Sequence, residues 1–173
     1  MPEASLTVAI SDLHEFVVAT LRGTGLPESD SRVTADALVE TDAMGVFTHG
    51  TKLLSGYLQK LRGGGYRPGA RPKIERQGPG WAMIDGESAL GQVGGCFAIE
   101  TALEKARNTG IAYVGLRNTG HIGAAGYYAS LAARQGMIAM VTGNDIPSVA
   151  APGSRGAVLG SNPIAYGIPV LTG

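Results

Sequence analysis

GIAYVGLRNTGHIGAAGYYASLAARQGMIAMVTGNDIP, residues Gly110–Pro147, opens with the apolar run Ile111–Leu116, which suits a buried strand. Gly120, Gly123 and Gly126 follow at intervals of three, with His121 between the first two. Tyr127, Tyr128, Leu131 and Ala132 then fall on one helical face until Gly136 stops the helix. A second apolar run, Met137–Thr142, leads to Gly143, Asn144 and Asp145. Strand, glycine turn, helix, strand and terminal acid form a unit able to hold an anionic cofactor, since helix-start N–H groups bind phosphate. A Rossmann unit is one reading of it, with the acid on a ribose. The spacing, however, is G-x-x-G-x-x-G and not G-x-G-x-x-G, and a tight turn with close helix–strand packing explains the same glycines.

The rest of the chain narrows the classes. Its 173 residues suffice for one domain or two small ones with a sizeable core. Fourteen basic and fourteen acidic side chains cancel, with no run of either sign, which excludes the basic stripe that a nucleic-acid partner wants. The 27 glycines sit at element ends and punctuate a compact α/β chain. No apolar run reaches membrane-spanning length, and the N-terminus lacks a basic segment followed by an apolar core, so a cytoplasmic protein is expected. Cys96 is the only cysteine, which rules out an intrachain disulfide and a cysteine-only metal site. Although a helix start can lower a thiol pKa, Cys96 reads as core, and no metal site is expected.

Upstream, Ser11 and Asp12 are placed to open a helix whose face is Leu13, Phe16, Val17, Thr20 and Leu21, ended by Gly23 and Gly25. His14 lies off that stripe and reads as a solvated surface histidine. A second helix begins near Ser29 or Asp30 and runs to Met44, where Gly45 interrupts it. Phe47-Thr48-His49-Gly50 follows, and a third helix carries Leu53, Leu54, Tyr57, Leu58 and Leu61. His49 thus sits at a helix–helix junction. There the helix dipole opposes imidazolium and favours a neutral ring able to exchange a proton near neutrality. A histidine simply hydrogen-bonded into a turn fits the same spacing.

Arg62-Gly-Gly-Gly-Tyr66, with prolines at 68 and 72, is the clearest break, and a domain boundary is expected there. Residues 1–66 would form a helical domain and residues 67–173 an α/β cofactor-binding domain. Lys73–Arg76 and Trp81–Ile84 read as short strands, the second closing in the turn Asp85-Gly86. A helix after Gly91–Gly95 would bury Phe97, Ile99, Ala102, Leu103 and Ala106. Beyond Asp145 come a Pro-, Gly- and Ser-rich loop and a last strand, Ile164–Val170.

Five ordered blocks carry a resemblance: Thr48-His49-Gly50, DGESALGQVGG at 85–95, RNTGHIGAAGYY at 117–128, NDIPSVAAPGSRG at 144–156 and LGSNPIAYGIP at 159–169. Together they resemble the malate/L-lactate dehydrogenase family, which does not use a Rossmann fold and includes ureidoglycolate and sulfolactate dehydrogenases. The resemblance implies a helical N-terminal part beside a mixed-sheet cofactor domain, with the family's C-terminal portion missing here. It also implies a homodimer, and hydride transfer between NAD or NADP and a small 2-oxo or 2-hydroxy acid. By the same resemblance His49 matches the proton donor, and Thr48 stands where serine is common and keeps the hydroxyl that orients the imidazole. His121 matches a histidine given to cofactor contact in some members and to acid–base work in others. Ile122, Gly123, Ala124 and Ala125 complete the cofactor contact, Asp145 falls near the nicotinamide end, and Ser161 and Asn162 line the substrate pocket.

Two departures bear on the substrate and on completeness. Many members carry an arginine four residues after the motif histidine, suited to a bidentate carboxylate. Here that position is Leu53, with Lys52 just before it as a looser point charge. Family members are also considerably longer, so the activity is expected to be complete only with a C-terminal half, which would then be a partner. The competing reading is a non-catalytic nucleotide- or partner-binding fragment of the same ancestry.

Overall fold

The computed structural model describes residues 7–170 and divides into two compact units, one ending at Ala124 and one beginning at Ala125. The first opens with helices α1 (Ile10–Arg22) and α2 (Glu28–Ala43), packed on each other. A 3-10 turn, Thr51–Leu53, leads into α3 (Leu54–Arg62). Val17, Val18 and Leu21 of α1, Ala35, Leu38 and Val39 of α2, and Leu54, Tyr57 and Leu61 of α3 form one core cluster. Tyr66 and Leu90 join it from beyond the glycine-rich connector, which therefore lies inside the first unit. Arg71 strengthens that attachment through a 2.8 Å ion pair with the buried Asp30 of α2.

Strands β1 (Lys73–Gly78) and β2 (Trp81–Asp85) form an antiparallel hairpin, and β3 (Tyr113–Arg117) adds in parallel to β2. Between them α4 (Gly91–Thr109) crosses over and packs on β2, β3 and α2. The sheet is therefore mixed, in the order β1-β2-β3. The second unit is smaller. Helix α5 (Ala125–Ala133) lies on an antiparallel ribbon of β4 (Ala139–Thr142) and β5 (Ile164–Gly167). Strands β3 and β4 belong to different sheets, so the stretch 110–147 is not a Rossmann βαβ unit.

Several local expectations need correction. Ser11 does not cap α1: the helix starts at Ile10, one residue earlier, and the cap position is Ala9. His14 is not freely solvated, because α2 brings Asp36 to 2.8 Å from its Nε2. Phe16 is 62% exposed, the buried face having shifted to Val17, Val18 and Leu21 where α2 covers them. In α4 the most buried positions are Gly91, Gln92, Gly94, Gly95, Thr101 and Leu103, while Phe97, Ile99, Ala102 and Ala106 are half-buried. Cys96 is likewise half-buried, in the sixth position of that helix. The apolar run before the glycine turn is not a buried strand either. β3 is an edge strand, and Ile111 and Tyr113 stay 79% and 70% exposed.

No helix among the described residues is long and apolar enough to cross a membrane. The loop between β4 and β5 carries a bridge that the sequence did not announce, Val149 pairing with Leu159. The ribbon's face opposite α5 is apolar. Met140 lies across from Tyr166, and both are exposed, as is Ile164.

Candidate functional site

Packing dictates the loop that carries His49. Asp42, at the end of α2, accepts hydrogen bonds from the backbone N–H and the hydroxyl of Thr51, where the 3-10 turn starts. A Cβ at residue 50 would collide with that carboxylate, so glycine at this place follows from Asp42. The backbone N–H of His49 bonds the carbonyl of Val46 at 3.0 Å. The Thr48 hydroxyl lies 2.9 Å from His49 Nδ1, and both residues are exposed. Lys52 is exposed one turn further on, while Leu53, four residues after His49, packs partly against the core.

His121 reaches the same region by a separate route. Beyond β3 the chain runs beside the exit of β2, with the N–H groups of Gly86 and Ser88 bonded to the carbonyls of Arg117 and Asn118. The Gly120 N–H closes the series on the carbonyl of Ala89. Ser88 and Asn118 hold φ of 61° and 50°, and Asp85 steadies both sides by accepting from the Glu87 N–H and the Asn118 amide. A Cβ on Gly120 would stand 2.5 Å from the Tyr66 ring, which explains the glycine beside the histidine. A polar cavity of about 180 Å³ lies here, lined by Gly65, Tyr66, Ser88, Asn118, Thr119 and Gly120.

These two loops bring the histidine rings to 5.9 Å between centroids. Two residues that sequence reasoning did not single out join them. The Tyr57 hydroxyl is 2.9 Å from His121 Nδ1, and Gln92 Nε2 donates to the Tyr57 oxygen at 3.0 Å. Both are buried, Gln92 completely. Burial pushes the Tyr57 phenol up to about 12, only partly offset by the Gln92 hydrogen bond and reinforced by Tyr66, so it remains a neutral donor at physiological pH. Tyr57 was legible only as one of the apolar positions of a helix. Gln92 stood inside the block 85–95, and its polarity amid glycines and apolar residues was the available signal.

The glycines of the turn divide in role. Gly123 has φ of +78°, which a side chain rarely adopts, and its N–H points to His121 Nδ1 at 3.2 Å. Ile122, Gly123 and Ala124 are half-buried, and Ala125 is buried in the first turn of α5. From Gly123 to Ala125 no side chain exceeds a methyl group, and a Cβ at Gly126 would meet nothing within 4 Å. Backbone N–H groups at a helix start of this kind are donors suited to an anionic group.

In the second unit Asp145, Ser161 and Asn162 come together as a clasp. The Asp145 carboxylate accepts from the Ile146 N–H at 2.8 Å, from Ser148 at 3.1 Å and from Ser161 at 3.0 Å. Its own N–H donates to Asn162 Oδ1 at 3.1 Å, with Asn162 at φ of 43°. The Ser161 and Ser148 bonds, in that order, hold the Asp145 carboxyl below the usual carboxylate range. A folded-state pKa below the unfolded one stabilises the loop above the unfolded value, and that contribution is lost as pH falls through the folded one. Amide protection in residues 145–162, taken as exchange relative to the intrinsic rate at each pH, is therefore expected to fall on acidification below the ordinary carboxylate range, and Asp145→Asn should remove this step. An acid response unchanged in Asp145→Asn would show that another group holds the loop.

The family model described as malate/L-lactate dehydrogenase matches residues 8–173. The malate dehydrogenase of Pyrococcus abyssi is 44% identical over 158 residues, covering 91% of this chain and 44% of that protein. The L-sulfolactate dehydrogenase of Methanocaldococcus jannaschii is 40% identical, covering 87% and 44%. Among solved structures, malate dehydrogenase from Pyrococcus horikoshii superposes with a TM-score of 0.93 at 40% identity, covering 97% of this chain and 48% of that one. The chain thus spans about half the length of the curated relatives it matches.

Proposed function

The chain belongs to the malate/L-lactate dehydrogenase family, and from that premise we propose that it serves an oxidoreductase acting on small hydroxy acids. The reaction is hydride transfer between NAD(P)H and a 2-oxo acid, or the reverse from the 2-hydroxy acid. The observation that carries this reading is the pairing of His49 and His121 at 5.9 Å, each ring nitrogen already oriented by a hydroxyl. Reduction of a carbonyl needs a proton delivered to its oxygen by a group within hydrogen-bond reach. His49 is the proposed donor, and Thr48 turns its ring. His121 with residues 122–125 would hold the nicotinamide cofactor, which would supply the hydride. Lys52, Ser161 and Asn162 are proposed to meet the substrate, the last two through the loop that Asp145 clasps. Residues 1–66 would then be the substrate-side part and residues 67–173 the cofactor-side part, within a homodimer or together with a C-terminal half chain.

One observation favours a second reading, of a chain that binds a nucleotide or a partner without catalysis. The apolar ribbon face at Met140, Ile164 and Tyr166 is exposed by 60% or more, which suits a protein partner. Nicotinamide fluorescence titration and 2-oxo-acid-dependent oxidation of NADH and NADPH discriminate the two. Both would be run on the chain alone and with the C-terminal half of the P. horikoshii malate dehydrogenase added. Cofactor binding that tightens, with turnover appearing on addition, is the expected result. Tight binding by the chain alone, with no turnover in either arm, would overturn the catalytic reading.

A further inference from the structure

The polarity of the network at His121 follows from an unambiguous donor, the backbone N–H of Gly123. The Gly123 N–H can only donate, and it meets His121 Nδ1 at 3.2 Å. Nδ1 therefore presents a lone pair, and the ring proton belongs to Nε2. The Tyr57 oxygen lies 2.9 Å from the same Nδ1, so its hydroxyl must donate there. With its proton so directed, the Tyr57 oxygen is left as an acceptor. Gln92 Nε2, at 3.0 Å, supplies the donor.

This sequence of constraints also orients the amide. Its NH₂ faces Tyr57 and its Oε1 faces away, where that buried oxygen has no hydrogen-bond partner. Turning the amide over would set its oxygen against Tyr57. The phenol proton would then leave His121, and two lone pairs would face each other across 2.9 Å. An unpaired buried carbonyl is the lesser conflict, which accounts for an orphan in an otherwise satisfied cluster.

We propose that Gln92 is a positioning residue which, acting through Tyr57, holds His121 in its Nε2–H tautomer. His121 thereby meets a ligand as a hydrogen-bond donor to a carbonyl or carboxylate oxygen. The proposal deepens the functional reading above and rests on it only for the ligand; the tautomer is a property of the chain. It also separates the two histidines. A neutral ring that gives up its single N–H becomes an imidazolate unless Tyr57 passes a proton to Nδ1. The Tyr57 phenol, pushed up to about 12 by burial, keeps that proton. His121 accordingly binds its ligand, and proton delivery falls to His49.

The test is long-range proton–nitrogen correlation NMR on the 173-residue chain labelled with ¹⁵N-histidine. Only three histidines contribute, and His121→Asn identifies the signals of His121 by their loss. The expected spectrum shows a pyridine-like Nδ1 and a pyrrole-like Nε2 for His121. Tyr57→Phe should move both shifts toward the average of the two tautomers, and Gln92→Met should move them part of the way. The His14 and His49 signals should stay at their wild-type positions. A pyrrole-like Nδ1 in the wild-type chain overturns the proposal, as does a His121 pattern unchanged in both variants. Should Gln92→Met not fold, the wild-type and Tyr57→Phe spectra decide. The expected tautomer in a protein that never turns over a 2-oxo acid would sink the functional reading and leave this inference standing.

Discussion

His49→Ala is expected to lower turnover of a 2-oxo acid by about 10²–10⁴-fold, the usual share of general acid catalysis. The ring stands exposed on its loop, oriented by Thr48, and lies outside the core cluster, so its removal should leave the fold intact. Thr48→Val should reproduce a fraction of the loss by freeing the ring to rotate. His121→Ala is expected to act chiefly on the Michaelis constants, because a hydrogen-bond donor serves bound substrate and transition state alike. Steady-state kinetics in the preparation that turns over, across a range of cofactor and 2-oxo acid concentrations, separate the two effects. Near-normal turnover in His49→Ala together with its abolition in His121→Ala would exchange the roles.

A second large effect is expected from a residue with no chemistry of its own. In Gly91→Ala the new Cβ would fall on the backbone carbonyl of His121 and 2.5 Å from the carbonyl oxygen of Gly120. These are backbone atoms in a turn tied to Ala89 by the Gly120 N–H, so they cannot yield as a flexible side chain would. Overpacking of this kind costs about 1–3 kcal/mol, and the melting temperature should fall by several degrees. The displaced turn should also carry His121 away from Tyr57 and His49, so activity is lost alongside stability. Gly126→Ala supplies the control. Its Cβ meets nothing within 4 Å on a helical residue, so it should stabilise by about 0.5–1 kcal/mol. Equal melting temperatures for Gly91→Ala and wild type would show that the turn is softer than its contacts imply.

Much of this arrangement is legible in the amino-acid sequence. The helix starting near Ser29, the junction holding His49 and the strand from Trp81 follow from periodicity and from glycines, signals that act over a few residues. Exposure was less legible. Phe16, Ile111 and Tyr113 are exposed although their apolar patterns suit burial, because whether an apolar face is covered depends on what packs against it. For β3, α4 covers one face, and the strand lies at the sheet's edge.

The family and the order of elements were determined by the sequence by itself, because five blocks and their hydrophobic periods are local properties of the chain. The candidate histidines were marked in the same way, by their place beside glycines. Only the tertiary structure decided that Tyr57 and Gln92 stand behind His121. Those contacts join residues 64 and 35 positions apart, and no local pattern encodes them. The pleated sheet made the same kind of decision about the glycine turn, since the partner of a strand is set by long-range pairing. A motif that resembled half of a Rossmann unit became the loop that leaves β3 and presents a histidine. The reason is physical: a buried polar group must find its donor wherever the folded chain brings one, and that place is fixed only when the whole core is packed.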